Sequence, residues 1–591
     1  MKSVLRSIRA LAAVVLAVAI GLPLSVTAQG AGEEGRQEGI IRQVEQKTAP
    51  ASSAERDEGK QSQQPPGTQS NITQPLALSP DVTDKRVGVR EGDVVALTMQ
   101  DSVAMALRNN LDIEVFRQSV EMAQYSLFAL RGYYDITSGS SIGYRSSISA
   151  ATSAISGGGA TGDISNKSLF YNFTTTKQVE RTGGNYLIEF DNARGSTSNT
   201  FSNFTSQYNT TLTLSYTQPL MRNFAIDQNR RSIQIARRSL DLSDSQFRQK
   251  VIDVITATQR AYWDLVFAIR SDQIARDAVE LTKTQLDNNR KQVEAGTMAP
   301  IDLRSTEAAL ESRKGDVINA LQTITTAENT LKGLLLKDPA DKMWYSAIVP
   351  TDEPQFGQPS LSLEEASALA VKNRPELEQL KLQAEQNQID IKYYRSMTRP
   401  QLDLVGSYTT TGLAGTPSTG GGIGGLPREV LPRFNGGYGQ SLRNLFTQDF
   451  RTYQVSVVLS FPWRNRTAEA NLGSAVARSR QLDAQQRQLV QTVQVDLRNT
   501  LQAVQAARQR YEAARANRIA ARAQLDGEQE KFRAGLSTNF FVLDRQNALA
   551  VARGNEVRAL TDYNKALADL QRATGMTLVS NNVQVTAIPT K

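Results

Sequence analysis

The sequence predicts a mostly α-helical chain with membrane β-strands, built from a strand–strand–long-helix–return-helix module that occurs twice. Three observations predict it: an internal duplication, strands whose two faces differ sharply in polarity, and helical stretches too long for any globular core.

Composition narrows the chemistry first. The 591 residues contain no cysteine and no histidine. Disulfides, thiolate nucleophiles, Cys/His zinc sites and imidazole bases are therefore excluded, and no cofactor is expected. Aromatic residues make up 6% of the chain and the mean hydropathy is −0.38, which does not suit a multi-span helical membrane protein. The net charge of +8 is a weak basic bias for this size and gives no argument for nucleic acid.

Lys2, Arg6 and Arg9 precede an apolar run from Ala10 to Leu24, and Val26-Thr27-Ala28 supplies small residues for cleavage. Residues 1–28 thus read as a secretory signal peptide, too short in its apolar part to act as an anchor. Residues 29–90 are rich in Gln, Glu, Gly, Ser and Pro, and read as a flexible leader.

The duplication begins beyond the leader. Leu97-Thr98-Met99-Gln100-Asp101, followed by Ala104, Ala106 and Asn109, recurs as Leu361-Ser362-Leu363-Glu364-Glu365, followed by Ala368, Ala370 and Asn373. Each copy opens with a helix-capping pair, Thr98 with Asp101 and Ser362 with Glu365. Pro375 should break the second helix, and Asn109-Asn110 marks the same break in the first. A later block repeats at a different spacing, Ala295-Gly296 returning as Ala534-Gly535. Repeats are therefore expected over 91–336 and 361–576, with a linker over 337–360 and a short polar tail over 577–591.

Within each repeat, strands follow the opening helix. Ile142, Tyr144 and Ile148 alternate with Ser141, Gly143 and Ser147. Tyr208, Thr210, Leu212, Leu214 and Tyr216 oppose Asn209, Thr211, Thr213, Ser215 and Thr217. In the second copy, Leu402, Leu404 and Tyr408 alternate with Asp403 and Ser407, and Tyr453, Val455, Val457, Leu459 and Phe461 oppose Gln454, Ser456 and Ser460. Expected strands are therefore 136–150, 207–218, 401–410 and 452–462. An apolar face with terminal aromatics and a polar reverse face fit a bilayer-spanning barrel. The alternative is a soluble sheet with one wet face. Four strands are too few to close a barrel, and an open sheet edge has no place in lipid. Either copies share one barrel, or Phe170–Thr174 and Tyr186–Phe190 add strands. A long external hairpin is the expectation for that segment.

The helices follow. From Leu220 to Ala295 there is neither glycine nor proline, and no proline lies between Trp463 and Ile588. A continuous helix over the first stretch would span on the order of 110 Å. Apolar residues recur at three-and-four spacing through Val251, Val254, Ile255, Tyr262, Leu265 and Ile269, and through Leu482, Leu489, Val493, Leu497 and Val504. The stripe is narrow and flanked by Gln, Arg, Asp and Glu, as in a coiled coil. Gly296 and Gly535 end these helices with left-handed caps, and return helices follow over Ile301–Leu336 and Phe540–Thr574.

On the paired openings, the Thr217-Gln218-Pro219-Leu220 strand end and the two Ala-Gly tips, the chain resembles the TolC-like outer-membrane efflux factor family over nearly all of residues 95–576. The resemblance implies a homotrimer with a 12-stranded β-barrel in outer-membrane lipid, four strands per chain, continuous with a periplasmic α-helical barrel. It also implies an exit duct for a tripartite efflux pump or type I secretion system, energised by an inner-membrane pump through a periplasmic adaptor, rather than an enzyme. Under the resemblance the adaptor-docking tips are Gly296-Thr297-Met298 and Gly535-Leu536-Ser537. Asp302 matches an acidic position that constrains the closed tip, and Asp544 matches a pore-facing carboxylate that attracts cations when triplicated. A helix-start carboxylate favoured by the dipole is the structural alternative for each. The sequence departs from the family pattern at Phe541, where a second tip aspartate is expected, and at Phe532 and Ser537, which replace a tyrosine and an arginine. A polar lock would then need Arg304, Arg533 or Arg545, whereas Phe540 or Phe541 would make a hydrophobic gate. The rival class, a trimeric coiled-coil surface protein with a barrel anchor, would carry its strands at the extreme C-terminus, and here they are internal.

Overall fold

The computed structural model describes residues 86–585 except 91, 153–156, 358–360 and 420–428. The signal peptide and almost all of the 29–90 leader lie outside the described residues. So do the glycine-rich run at Gly420–Gly425 and the end of the tail.

The first repeat opens with α1 (Met99–Asn109) and α2 (Leu111–Arg131). The Thr98 hydroxyl caps α1 by accepting from the Asp101 amide, and the Asn110 side chain caps α2 by accepting from the Asp112 and Ile113 amides. Asn110 therefore ends one helix and starts the next. In the second repeat α5 (Leu363–Asn373) carries a full capping box from Ser362 and Glu365, and Pro375 opens α6 (Pro375–Met397). Numbered in chain order, the intervening long helices are α3 (Gln228–Glu294) and α4 (Pro300–Leu335). The second pair is α8 (Arg466–Arg533) and α9 (Asn539–Ala573). At 1.5 Å per residue, α3 is about 100 Å long. It starts later than the glycine-free run suggests, because Asn223 takes a φ of 66° and Asp227 supplies the N-cap to the Arg230 amide.

The helices form a wall four across at every level. Towards the sheet the order is α2–α3–α6–α8, and towards the tips it is α4–α3–α9–α8. The best-packed part is the equator, where Ile255, Tyr262, Leu265 and Val266 of α3 meet Ile324 and Leu331 of α4 and Ala106 of α1. Here β1 (Val94–Leu97) and β6 (Ala347–Pro350) pair in parallel. The Tyr262 hydroxyl lies 3.1 Å from the Leu97 carbonyl and 3.2 Å from an Asp352 carboxylate oxygen, and its burial pushes its pKa up. Arg86, at the end of the leader, is buried and pairs with Glu328. The leader is thus anchored from residue 86 rather than free to residue 90. The tail also packs, since Leu578, Val583 and Val585 lie against this core.

The sheet corrects a central expectation. Among the described residues it contains six strands in the order β2 (Thr137–Ala150), β3 (Asp163–Gln178), β4 (Asn185–Thr197), β5 (Phe204–Pro219), β7 (Gln401–Pro417) and β8 (Arg451–Ser460). All neighbours are antiparallel. Residues 163–197 are not an external hairpin; they are two full-length strands between β2 and β5, so the chain supplies six strands to its sheet and not four. Their alternation had been masked because Asn192 and Lys177 interrupt the apolar face formed by Leu169, Tyr171 and Phe173 with Ile188 and Phe190. Strand β7 also runs seven residues further than expected, pairing with β5 as far as Pro417. A short amphipathic helix, α7 (Tyr438–Thr447), lies over Thr210 and Gly412 on the apolar face, with Ser441 Oγ 2.9 Å from Thr210 Oγ1.

At the equator, the Glu328 carboxylate accepts from the Ile348 amide at 2.7 Å, from Lys332 Nζ at 3.2 Å and from Arg86. Lys332 also donates to the Ser346 and Trp344 carbonyls. Burial lowers its pKa while Glu328 opposes that shift. Removing one member strands the others, at a cost of about 3–5 kcal/mol. Lys332→Ala is expected to lower the thermal unfolding temperature of the detergent-solubilised protein.

Candidate functional site

The two hairpin tips share one backbone solution. Gly296 and Gly535 both take a φ of 74°, a left-handed conformation that glycine adopts without a Cβ clash. The Gly296 amide donates to the Val293 carbonyl and the Thr297 amide to the Gln292 carbonyl, both at 2.9 Å. The second tip repeats this, with the Gly535 amide donating to Phe532 at 3.0 Å and the Leu536 amide to Lys531 at 2.8 Å. These closures satisfy the last carbonyls of helices α3 and α8. Thr297 is exposed and Met298 half-buried. Leu536 is 79% exposed, and the Ser537 hydroxyl donates back to Glu528.

The carboxylates singled out by the sequence sit beyond these turns. Asp302 lies in the first turn of α4 and Asp544 in the second turn of α9, both exposed. Asp544 is 3.8 Å from Arg545. The two aspartates are not brought into contact with each other. Of the arginines considered as lock partners, Arg304 with Glu307 at 2.9 Å and Arg533 with Glu530 at 2.7 Å are engaged on their own helices, and Arg545 reaches Gln524 of α8 at 3.5 Å. Phe540 and Phe541 stack edge to face with their centroids 5.6 Å apart and remain 71% and 47% exposed.

A buried polar cluster just inside the tips joins the two hairpins, and the sequence reading missed it. Asn289 Nδ2 donates to Thr306 Oγ1 at 2.9 Å and to Asn539 Oδ1 at 2.8 Å. Asn539 Nδ2 donates to Thr306 Oγ1 at 2.8 Å. Gln285 Nε2 donates to Asn289 Oδ1 at 2.8 Å. The Thr306 hydroxyl in turn donates to the Asp302 carbonyl at 3.1 Å. Helices α3, α4 and α9 are thus fastened by groups withdrawn from water, directly behind Asp302. The available signal was polar residues occupying stripe positions, with Gln285 and Asn289 one helical turn apart. Next to it, Leu281, Leu525, Val542 and Leu549 form an apolar patch between the hairpins.

At the other end, the sheet sorts its side chains by face. Tyr208, Leu212, Leu214, Tyr216, Ile188, Phe190, Tyr171, Phe173, Tyr408 and Val455 lie on one face by register, and Thr211, Thr213, Ser215, Asn172, Thr174 and Ser407 lie on the other. An apolar outer face ending in aromatics with a polar inner face is the pattern of a lipid-embedded barrel wall. Among the described residues, no helix is long and apolar enough to cross a membrane.

A half-polar sheet continuous with a four-helix wall about 100 Å long defines the class of envelope-spanning channel subunits. The sequence pattern of the outer membrane efflux protein family matches residues 185–335 and 366–576, so the chain belongs to that family and is an outer-membrane protein with its helices in the periplasm. Solved structures share the fold. A membrane protein from Pseudomonas aeruginosa is 18% identical with a TM-score of 0.57, the match covering 82% of this chain and 93% of that one. The Campylobacter jejuni CmeC outer membrane channel is 15% identical with a TM-score of 0.57, covering 81% and 86%. The open state of the Neisseria gonorrhoeae MtrE outer membrane channel is 18% identical with a TM-score of 0.52, covering 81% and 89%. No curated protein matches the chain.

Asn539→Ala leaves Asn289, Thr306 and Gln285 short of partners, a local cost of about 1–3 kcal/mol. The expected outcome is a higher open probability of single channels in planar bilayers, with the far-ultraviolet circular dichroism unchanged.

Proposed function

We infer that the chain is the exit duct of a machine that moves cargo from the periplasm to the exterior, three copies closing one barrel and one helical tunnel. The observation that carries this reading is the open sheet. Strands β2 and β8 are each paired on one side only, yet one face of the sheet is predominantly apolar. In lipid those edges must meet the edges of identical copies, because hydrocarbon offers their amides and carbonyls no partner.

Transport through such a duct is passive. Energy enters through an inner-membrane pump, and the tips at Gly296-Thr297-Met298 and Gly535-Leu536-Ser537 are the surfaces that a periplasmic adaptor grips. Exposed Leu536 suits an apolar socket, while the backbone turn fixes its direction. The gate in this reading is the ring formed by three copies of Asp302 and Asp544, with Phe541 beside it. Repeated carboxylates in a narrow bore hold cations. A tripartite efflux pump and a type I secretion system both use this arrangement, and the adaptor captured by cross-linking at position 298 would tell them apart.

Electron microscopy of the purified protein is the direct test. A hollow threefold tube supports the reading, and a solid stalk defeats it. For the gate, Asp544→Ala is expected to raise the half-blocking concentration of divalent or trivalent cations about tenfold, equivalent to about 1.4 kcal/mol. Unchanged block removes Asp544 from the pore.

A further inference from the structure

We propose that the barrel assembled from this chain has eighteen strands rather than twelve, and that the β3–β4 hairpin lines its bore with carboxylates that make it cation-preferring. The count rests on the trimeric reading above; the membership of the hairpin in the wall does not.

Three observations carry the proposal. The first is where the hairpin turns. Strand β3 returns to the helix end of the sheet, since Gln178 pairs with Asn185, and Asn185 pairs with Thr217 beside the end of β5. The turn is docked there and not free outside. Arg230, at the start of α3, donates to the Arg181 carbonyl at 3.3 Å and to Asp227 at 2.8 Å. Gly183, with a φ of 71°, lets the turn approach so closely that a Cβ would lie 2.9 Å from the Asn223 carbonyl oxygen. Lys177 Nζ donates to the Tyr134 carbonyl at 2.6 Å. A hairpin pinned at the periplasmic junction and reaching the far end of β5 crosses the same thickness as its neighbours.

The second is the match of widths. Four helices packed at about 8–10 Å span about 32–40 Å of circumference per chain. Six strands at about 4.8 Å, tilted about 40°, span about 38 Å, whereas four would span only about 25 Å. The six-stranded sheet therefore joins the helical wall without a step, whatever the copy number.

The third is the chemistry of the inner face. Glu189 and Asp191 on β4 pair in register with Thr213 and Thr211 of β5, and so fall on the polar face. Asp403 lies on the same face of β7, and Arg145 of β2 offsets only part of this charge. The hairpin thus adds two carboxylates per subunit to a bore that it also widens. An eighteen-stranded wall leaves an aqueous channel, so the constriction belongs to the helical tips and not to the barrel.

The chain lacks cysteine, which makes a scan along β4 direct. Single cysteines at Leu187, Ile188, Glu189, Phe190 and Asp191 are introduced into the full-length protein, reconstituted in planar bilayers and exposed to a charged, membrane-impermeant methanethiosulfonate. Current steps are expected for Leu187→Cys, Glu189→Cys and Asp191→Cys and none for Ile188→Cys and Phe190→Cys. Uniform reaction or uniform silence overturns the placement of the hairpin in the wall. Under a potassium chloride gradient, Glu189→Gln/Asp191→Asn is expected to lower the cation-to-anion permeability ratio about twofold, and an unchanged ratio overturns the charge assignment. Electron microscopy is expected to count three subunits and eighteen strands. A different copy number with the alternation intact overturns the trimer and the count of eighteen, and leaves the six-strand wall standing.

Discussion

A backbone amide or carbonyl in hydrocarbon has no partner except another backbone group, and the architecture of this chain follows from that constraint. Its six strands satisfy one another internally, but β2 and β8 each keep an open edge. A single copy therefore presents a lipid-facing surface that it cannot complete. In the proposed assembly, closure by identical copies cures both edges at once and turns the polar face inward, where water can solvate it. In that reading the aqueous bore results from closing the edges.

The helical wall faces the opposite problem. Water surrounds it on both sides, so only a narrow stripe on each helix can be apolar, and stability must come from many modest contacts along about 100 Å. The polar groups that are buried sit at two levels. At the equator, Glu328 and Lys332 tie the first return helix to the linker strand β6, fixing the region where both repeats meet. Behind the tips, Gln285, Asn289, Thr306 and Asn539 join the hairpins through amides and a hydroxyl. Neutral hydrogen bonds of this kind are each worth about 1 kcal/mol net, enough to set an arrangement and weak enough to rearrange.

Legibility differed from element to element. The capping residues Thr98 and Ser362, the breaks at Asn110 and Pro375 and the two tip glycines act within a few residues of themselves, so their effects could be read directly. The strands with uninterrupted alternation, such as Tyr208 to Tyr216, were equally plain. Strands β3 and β4 were not, because polar residues, Lys177 and Asn192 among them, fall on the apolar face. Those residues make sense only beside their partners, Lys177 with the Tyr134 carbonyl and Asn192 with Tyr438. At the candidate gate, the positions of Asp302 and Asp544 could be marked, but not that Arg304 and Arg533 are engaged by glutamates on their own helices.

Periodicity is a local property, and the amino-acid order alone determined what depends on it: the duplication, the length of the helices, the caps, and the separation of apolar from polar faces. Which segments pair depends on contacts between residues far apart in the chain. Only the tertiary structure decided that residues 163–197 enter the sheet, that Arg86 closes onto Glu328, and that four polar side chains from three helices meet behind the tips. A buried polar group is tolerated only where its partners converge, and that convergence is written in three dimensions and not in spacing.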